Sequence, residues 1–222
     1  MNKLTLNPEV PSVYPIASLD NLSDPFSHIK NLLSLNARLS LNSQWIQIRS
    51  KGIIPSDKLL LFVKNVLKLR NEISPSSKII VNDYLNIALE AEADGLHLGQ
   101  SDKPGPLEAR KILGNTAIIG LSSHTLTQAS NAPFESLSYL ATGPVYLSGT
   151  KFGHAEVTGI STLTEVRKIC PTPLIAIGGI SSKNSKEVFT AGADSVAVIG
   201  ALSSDCYNEL SSEYKLLLES KC

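Results

Sequence analysis

The sequence predicts a single-domain α/β protein closed as a (β/α)8 barrel, and three observations predict it. Eight short apolar runs alternate with eight segments of helical spacing. Several of the runs lack in/out alternation, as strands covered on both faces do. The polar residues with chemical potential fall where runs hand over to the following loops, the end at which such barrels carry their sites. A chain of 222 residues with 42% hydrophobic content can bury one sizeable core. An open doubly wound sheet is the competing architecture, and eight β-then-α units favour closure. Residues 1–12 read as an N-terminal extension, and the barrel as the only domain.

The first run, Val13–Ala17, leads to a helix over Asp24–Leu41; the second, Trp45–Ile48, to one over Ser56–Ile73, with Pro55-Ser56 as its cap ahead of Leu59, Leu60, Phe62 and Val63. Ile79–Val81 precedes a helix at Leu85–Glu92, and Gly95–Leu98 precedes one at Leu107–Leu113, which Gly114 stops. Ala117–Gly120 is followed by Thr125–Asn131, Tyr139–Ala141 by Ser161–Ile169, and Leu174–Ile177 by Asn184–Ala191, stopped by Gly192. Ser195–Ile199 is the last strand, with a final helix within Asp205–Ser220. An internal echo supports the register: Ala93-Asp94-Gly95-Leu96-His97-Leu98-Gly99 resembles Ala193-Asp194-Ser195-Val196-Ala197-Val198-Ile199-Gly200.

Composition excludes several classes of function. Lys and Arg number 20, Asp and Glu 20, and the net charge is zero, so the basic field that gathers nucleic acid is missing. Cys170, Cys206 and Cys222 are widely spaced with no Cys-x-x-Cys pair, which argues for reduced thiols and against zinc or a disulfide framework. Met1 to Val10 has no continuous apolar stretch, and no segment reaches the roughly 18 apolar residues of a bilayer span. A soluble, cytoplasmic protein without membrane partner is expected.

The chemistry concentrates on two acids. Asp83, after Ile80-Val81-Asn82, and Asp102, after Leu96-His97-Leu98-Gly99-Gln100-Ser101, lie just beyond adjacent strands. Neighbouring parallel strands are about 5 Å apart, so both carboxylates can reach one hard cation and leave its remaining positions to water and phosphate. Helix capping is the alternative for each acid taken singly. After the second strand, alternation sends Gln47, Arg49 and Lys51 to one face; Arg49 and Lys51 with Lys151 form a basic cluster suited to a diphosphate. Gly178-Gly179-Ile180-Ser181-Ser182 and Ile199-Gly200-Ala201 follow strands seven and eight, where glycines let backbone N–H groups approach an anion. His97 reads as a satisfied core residue and His124 as a loop-shaping or capping one, while His28 and His154 belong to no constellation. No nucleophile–base spacing is present.

These stretches resemble the thiamine phosphate synthase family from Val13-Tyr14-Pro15 to Val198-Ile199-Gly200-Ala201. The most specific are Val81-Asn82-Asp83, Gly99-Gln100-Ser101-Asp102, Gly143-Pro144-Val145-Tyr146-Leu147-Ser148-Gly149-Thr150-Lys151 and Ala176-Ile177-Gly178-Gly179-Ile180. The resemblance implies a transferase that joins 4-amino-2-methyl-5-(diphosphooxymethyl)pyrimidine to a thiazole phosphate and releases pyrophosphate. It implies Mg²⁺ on Asp83 and Asp102. The Gln47-Ile48-Arg49-Ser50-Lys51 stretch, Asn82, Ser122 and Lys151 would then contact the pyrimidine diphosphate, with Arg49, Lys51, Ser122 and Lys151 serving catalysis. Ser148, Gly149, Thr150, Gly179, Ile199 and Gly200 would line the thiazole phosphate site. Both partners are small molecules, and a homo-oligomer is compatible with the pattern.

Departures from the family pattern are Ser50, Ser101 for a usual Glu, Ser148 for a usual Thr, and Gly200 for a usual Ser, which leaves only a backbone N–H toward phosphate. The usual Asp after strand one is absent from Pro15-Ile16-Ala17-Ser18, and Ala37–Ser43 lengthens the connection into strand two. Three other readings stand beside the synthase: a thiazole tautomerase, against which the metal-binding acids and Thr150-Lys151 argue; a degenerate barrel that binds thiamine precursors without turnover; and a sugar-phosphate epimerase, which would need an acid/base pair across the cavity.

Overall fold

Apolar side chains on both faces of several runs are buried when the strands close into a barrel beneath a layer of helices, and the computed structural model has that form. It describes residues 9–41, 43–52, 54–147 and 156–221. Eight parallel strands pair in chain order and close β8 onto β1. They are β1 (Val13–Ser18), β2 (Trp45–Arg49), β3 (Lys78–Asn82), β4 (Gly95–Leu98), β5 (Ile118–Ser123), β6 (Tyr139–Thr142), β7 (Leu174–Ile177) and β8 (Ser195–Val198). The helices are α1 (Pro25–Leu39), α2 (Ser56–Ile73), α3 (Leu85–Glu90), α4 (Pro106–Leu113), α5 (Leu126–Ser130), α6 (Gly159–Ile169), α7 (Ser185–Thr190) and α8 (Tyr207–Glu219).

Alternation along the strands divides the core in two. One set, including Ile46, Ile48, Ile79, Val81, Leu96 and Leu98, packs with helix residues such as Leu32, Val63 and Ile87. The other fills the barrel: Tyr14, Ile16, Trp45, Ile80, Ile118, Tyr139, Ala141, Ile175 and Ala197. Tyr14 meets Trp45 edge-on at 5.6 Å between ring centroids and Tyr139 at 6.0 Å, arrangements that add to the burial energy of the rings. This plug fills the interior under the strand C-termini and forms the floor of a hollow at the rim.

Local signals account for most boundaries. Asp24 caps α1 by accepting the Ser27 N–H at 3.1 Å, and Ser40, in the left-handed region at φ 48°, ends it. Gly114 (φ 82°) and Gly192 (φ 102°) stand just past α4 and α7, where a positive φ favours glycine. Three expectations change. Ser56 is not a cap: it is the first helical residue, and Pro55 precedes it without a side-chain bond. α1 ends at Leu39, two residues before the Leu41 that the spacing predicted. β5 runs to Ser123 rather than Gly120, because Ser122 and Ser123 continue the ladder with Ala141 and Thr142 of β6.

Candidate active site

At the C-terminal ends of the strands a cavity of about 370 Å³ opens, lined by residues from all eight strands or the loops that follow them. Inward-facing Gln47 and Arg49 follow Trp45 on β2, and Lys51 continues onto the rim; all three line the cavity. Ile48 is different. It packs in the outer core with the helices and does not line the cavity, since the alternation that turns Gln47 and Arg49 inward turns it out. Ser50 is also buried away from the cavity, and its hydroxyl finds no partner among the described residues. Neither side chain is presented to a ligand there.

Asp83 leaves the end of β3 through a tight turn. Its N–H continues the ladder to the His97 carbonyl at 2.9 Å, while the Tyr84 N–H reaches back to the Asn82 carbonyl at 2.8 Å, which holds Asp83 at φ 65°. Such backbone is costly for a residue with a side chain and is characteristic of functional loops; it aims the carboxylate over the cavity instead of onto the start of α3, where it makes no cap. Asp102 arrives from β4, and its Oδ2 accepts the Gly99 N–H at 2.6 Å. Partial burial, and then the neighbouring Asp102 carboxyl, push Asp83 up to about 6, against the attraction of Lys51. Lys51 Nζ stands 3.6 Å from Asp83 Oδ2.

The basic side of the rim has its own anchor, one that reading of the sequence missed. Asp20, in a short 3-10 turn (Leu19–Asn21) after β1, accepts the Lys51 N–H at 3.0 Å. Its negative charge, with that of Asp83, opposes the burial that pulls Arg49 down. Arg49 Nη1 also reaches Ser18 Oγ at 3.0 Å. Pro15–Ser18 holds no acid, but Asp20, carried past the strand end by the turn, supplies negative charge on this side of the rim. The signal was Asp20 itself, two residues beyond the strand end.

Beneath the rim lies a row of polar contacts. Gln47 Nε2 donates to Tyr14 Oη at 3.1 Å, the Tyr14 and Tyr139 hydroxyls are 3.3 Å apart, Tyr139 Oη lies 2.8 Å from His97 Nδ1, and His97 Nε2 lies 2.9 Å from Ser122 Oγ. His97 is thus satisfied, as expected, yet it lines the cavity. His124 shapes the loop through Nδ1 to the Gly143 carbonyl at 2.5 Å, while the cap of α5 is Thr125.

A second hollow of about 210 Å³ adjoins the first along Ile177, Gly178, Ala197 and Ile199, and includes Gly179 and Gly200. Gly179 sits at φ 63°, where an added Cβ would collide with Tyr146 and the Leu147 carbonyl, so glycine at 179 is what lets the loop after β6 pack this closely against the wall of the hollow. Ser148, Gly149, Thr150 and Lys151 lie outside the described residues.

Among the described residues, no group of three or more His, Cys, Asp and Glu side chains is arranged to hold a metal. The pair Asp83 and Asp102 nevertheless suits Mg²⁺. Two carboxylates whose proximity raises one of them lack positive charge between them, Mg²⁺ takes oxygen donors, and it needs only one or two from protein when phosphate supplies others. The Asn82 amide nitrogen, buried on the same cavity, also has no partner among the described residues, leaving a donor for an anionic ligand. Among the described residues, no helix is long and apolar enough to cross a membrane.

Comparison with known proteins agrees with this geometry. The family model for thiamine monophosphate synthase matches residues 22–202. A thiamine-phosphate synthase of Moorella thermoacetica is 38% identical over 157 residues, covering 71% of this chain and 73% of that protein. One of Bacillus velezensis is 35% identical over 196 residues, covering 86% and 83%. The solved thiamine phosphate pyrophosphorylase of Pyrococcus furiosus superposes with a TM-score of 0.79 at 27% identity over 99% of both chains. By matched sequence and by architecture, the chain belongs to the thiamine monophosphate synthase family, an enzyme family of transferases.

Proposed function

We propose that the chain joins 4-amino-2-methyl-5-(diphosphooxymethyl)pyrimidine to a thiazole phosphate, with Mg²⁺, to give thiamine phosphate and pyrophosphate. One observation carries this reading: Asp83, Asp102, Arg49 and Lys51 converge on one rim of a cavity that runs into a glycine-lined hollow. The rim suits a diphosphate, and the hollow suits the second substrate's phosphate. Gln47, Asn82 and Ser122 lie between as polar contacts for the pyrimidine. Lys151 with Ser148, Gly149 and Thr150 would complete the phosphate contacts, and Ile199 and Gly200 the hollow.

The bond between the pyrimidine's methylene carbon and its diphosphate oxygen breaks, with the electron pair leaving on oxygen; the thiazole nitrogen donates its lone pair to the same carbon. Negative charge therefore grows on the departing diphosphate. Arg49 and Lys51 are held where that growth strengthens their attraction, which lowers the barrier more than it tightens ground-state binding. Bound by Asp83 and Asp102, Mg²⁺ would supply further charge neutralisation on the diphosphate. The aminopyrimidine ring delocalises the positive charge left on carbon, and Ile16, Ile175, Ile177 and Ala197 in the cavity wall exclude water that would capture it. No protein nucleophile is needed. In this reading the enzyme acts in the cytoplasm on two small molecules, with neither nucleic acid nor membrane as partner, and a homo-oligomer is compatible with it.

The test is pyrophosphate release. It is expected only when both substrates and Mg²⁺ are present, and to be lost on chelation. Binding of both substrates without release would point instead to the non-catalytic barrel, and metal-independent conversion of a thiazole carboxylate phosphate to the tautomerase.

A further inference from the structure

We propose that the polar row beneath the cavity runs in one direction, from the Gln47 amide to the Ser122 hydroxyl, and that Tyr139 and His97 are positioning residues that make Ser122 a hydrogen-bond donor to the ligand. The row joins β2, β1, β6, β4 and β5 across the barrel interior; all five side chains line the floor of the cavity, and only Ser122 is more than marginally exposed there. Its direction follows from counting protons. Gln47 Nε2 donates to Tyr14 Oη, so the Tyr14 proton must go elsewhere, and Tyr139 Oη at 3.3 Å receives it. Tyr139 then gives its own proton to His97 Nδ1 at 2.8 Å. An imidazole that accepts at Nδ1 is neutral with its proton on Nε2, and Nε2–H donates to Ser122 Oγ at 2.9 Å. The Ser122 proton is left for the cavity.

Run the other way, with the Gln47 amide as drawn, the row would bury a Tyr14 proton facing a second donor, at the full cost of an unsatisfied group. A Gln47 amide turned over would reverse every bond and place the proton on Nδ1. The imidazole therefore reports the direction.

The strand register builds this arrangement on purpose-fitted space. Gly120 of β5 pairs with His97 on one side and Tyr139 on the other. With no side chain between them, the two rings stack at 5.6 Å between centroids and 15° between planes. A Cβ at position 120 would collide with the Tyr139 ring. Burial raises the pKa of both tyrosines, so they serve as hydroxyls rather than phenolates. The ligand atom facing Ser122 is accordingly an acceptor, a diphosphate oxygen or a ring nitrogen, and not an amino group.

The effect on turnover rests on the synthase reading; the direction does not. Nitrogen-15 NMR of the histidine-labelled, ligand-free chain, with His97 assigned by loss of its signals in His97→Asn, is expected to show Nε2 protonated and Nδ1 bare. A proton on Nδ1 overturns the proposal. Tyr139→Phe should turn this single tautomer into a mixture and lower kcat/KM by about tenfold, the worth of one hydrogen bond; Tyr14→Phe serves if that variant does not fold. Added to Ser122→Ala, the Tyr139 change should cost almost nothing more. Fully additive losses would show that Tyr139 acts otherwise than through Ser122. An Nε2–H tautomer in a chain that forms no product would leave the direction standing and defeat only the synthase reading.

Discussion

Asp83 and Asp94 flank the same pair of strands at opposite ends and are treated in opposite ways. Asp94, at the base, takes Arg70 at 3.1 Å, Lys78 at 3.2 Å and the Ile79 N–H at 2.9 Å. Asp83, on the rim, has one half-exposed lysine at 3.6 Å, a second acid beside it and a left-handed backbone. Asp194 repeats the basal pattern, with Arg167 at 2.8 Å and the Leu174 N–H at 2.8 Å, which gives the internal echo in the sequence a structural meaning. Complete satisfaction at the base stabilises the fold, whereas incomplete satisfaction at the rim leaves charge for something that binds later.

Substitution should separate these roles. Asp83→Asn is expected to cut turnover by about 100-fold or more, because even the outer partners of metal ligands cost 10- to 100-fold, while the variant melts no lower than the parent. Activity within a few-fold of the parent would remove Asp83 from the site. Asp94→Ala should do the reverse. It leaves Arg70, only 12% exposed, facing lost partners, and is expected to cost about 3 kcal/mol in denaturant unfolding with kcat intact in the folded fraction. A catalytic defect without a stability defect would invert the comparison.

The pH dependence sharpens it further. Folding raises Asp83 from about 3.8 to about 6, so above pH 6 the ionised group weighs against the metal-free fold; below pH 4 it is protonated in both states and the penalty vanishes. Metal-free stability attributable to Asp83 should therefore rise by about 2 kcal/mol as pH falls from 6 to 4, and Asp83→Asn should remove that portion of the profile. Identical profiles for parent and variant would mean that Asp83 carries no folding penalty.

Much of this was legible in the chain because its signals are local. Runs such as Leu174–Ile177 and Gly95–Leu98 became strands with the ends anticipated, and alternation alone turned Gln47 and Arg49 inward. Asp83 and Asp102 were visible because each follows its own apolar run within a few residues. What stayed hidden is non-local. Tyr14 and Tyr139 meet across 125 residues, and no spacing announces that two tyrosines and a histidine share a row, nor that Gly120 is bare to let them stack. Asp20 was overlooked because a 3-10 turn carries it past the strand end where an acid was sought. Ile48 and Ser50 fell within a promising stretch, but one faces the helices and the other is buried away from the cavity, a matter of parity along the strand.

The account turns on whether the two rim carboxylates hold a divalent ion together. Calorimetric titration of Mg²⁺ into the chain with pyrophosphate present, near pH 6 and in buffers of different ionisation enthalpy, tests this most directly. Binding should release more protons than Mg²⁺ takes from pyrophosphate alone, as Asp83 ionises, and it should be lost or severely weakened in both Asp83→Asn and Asp102→Asn. Unchanged Mg²⁺ affinity in the two variants, with no proton released beyond that of pyrophosphate alone, would contradict it.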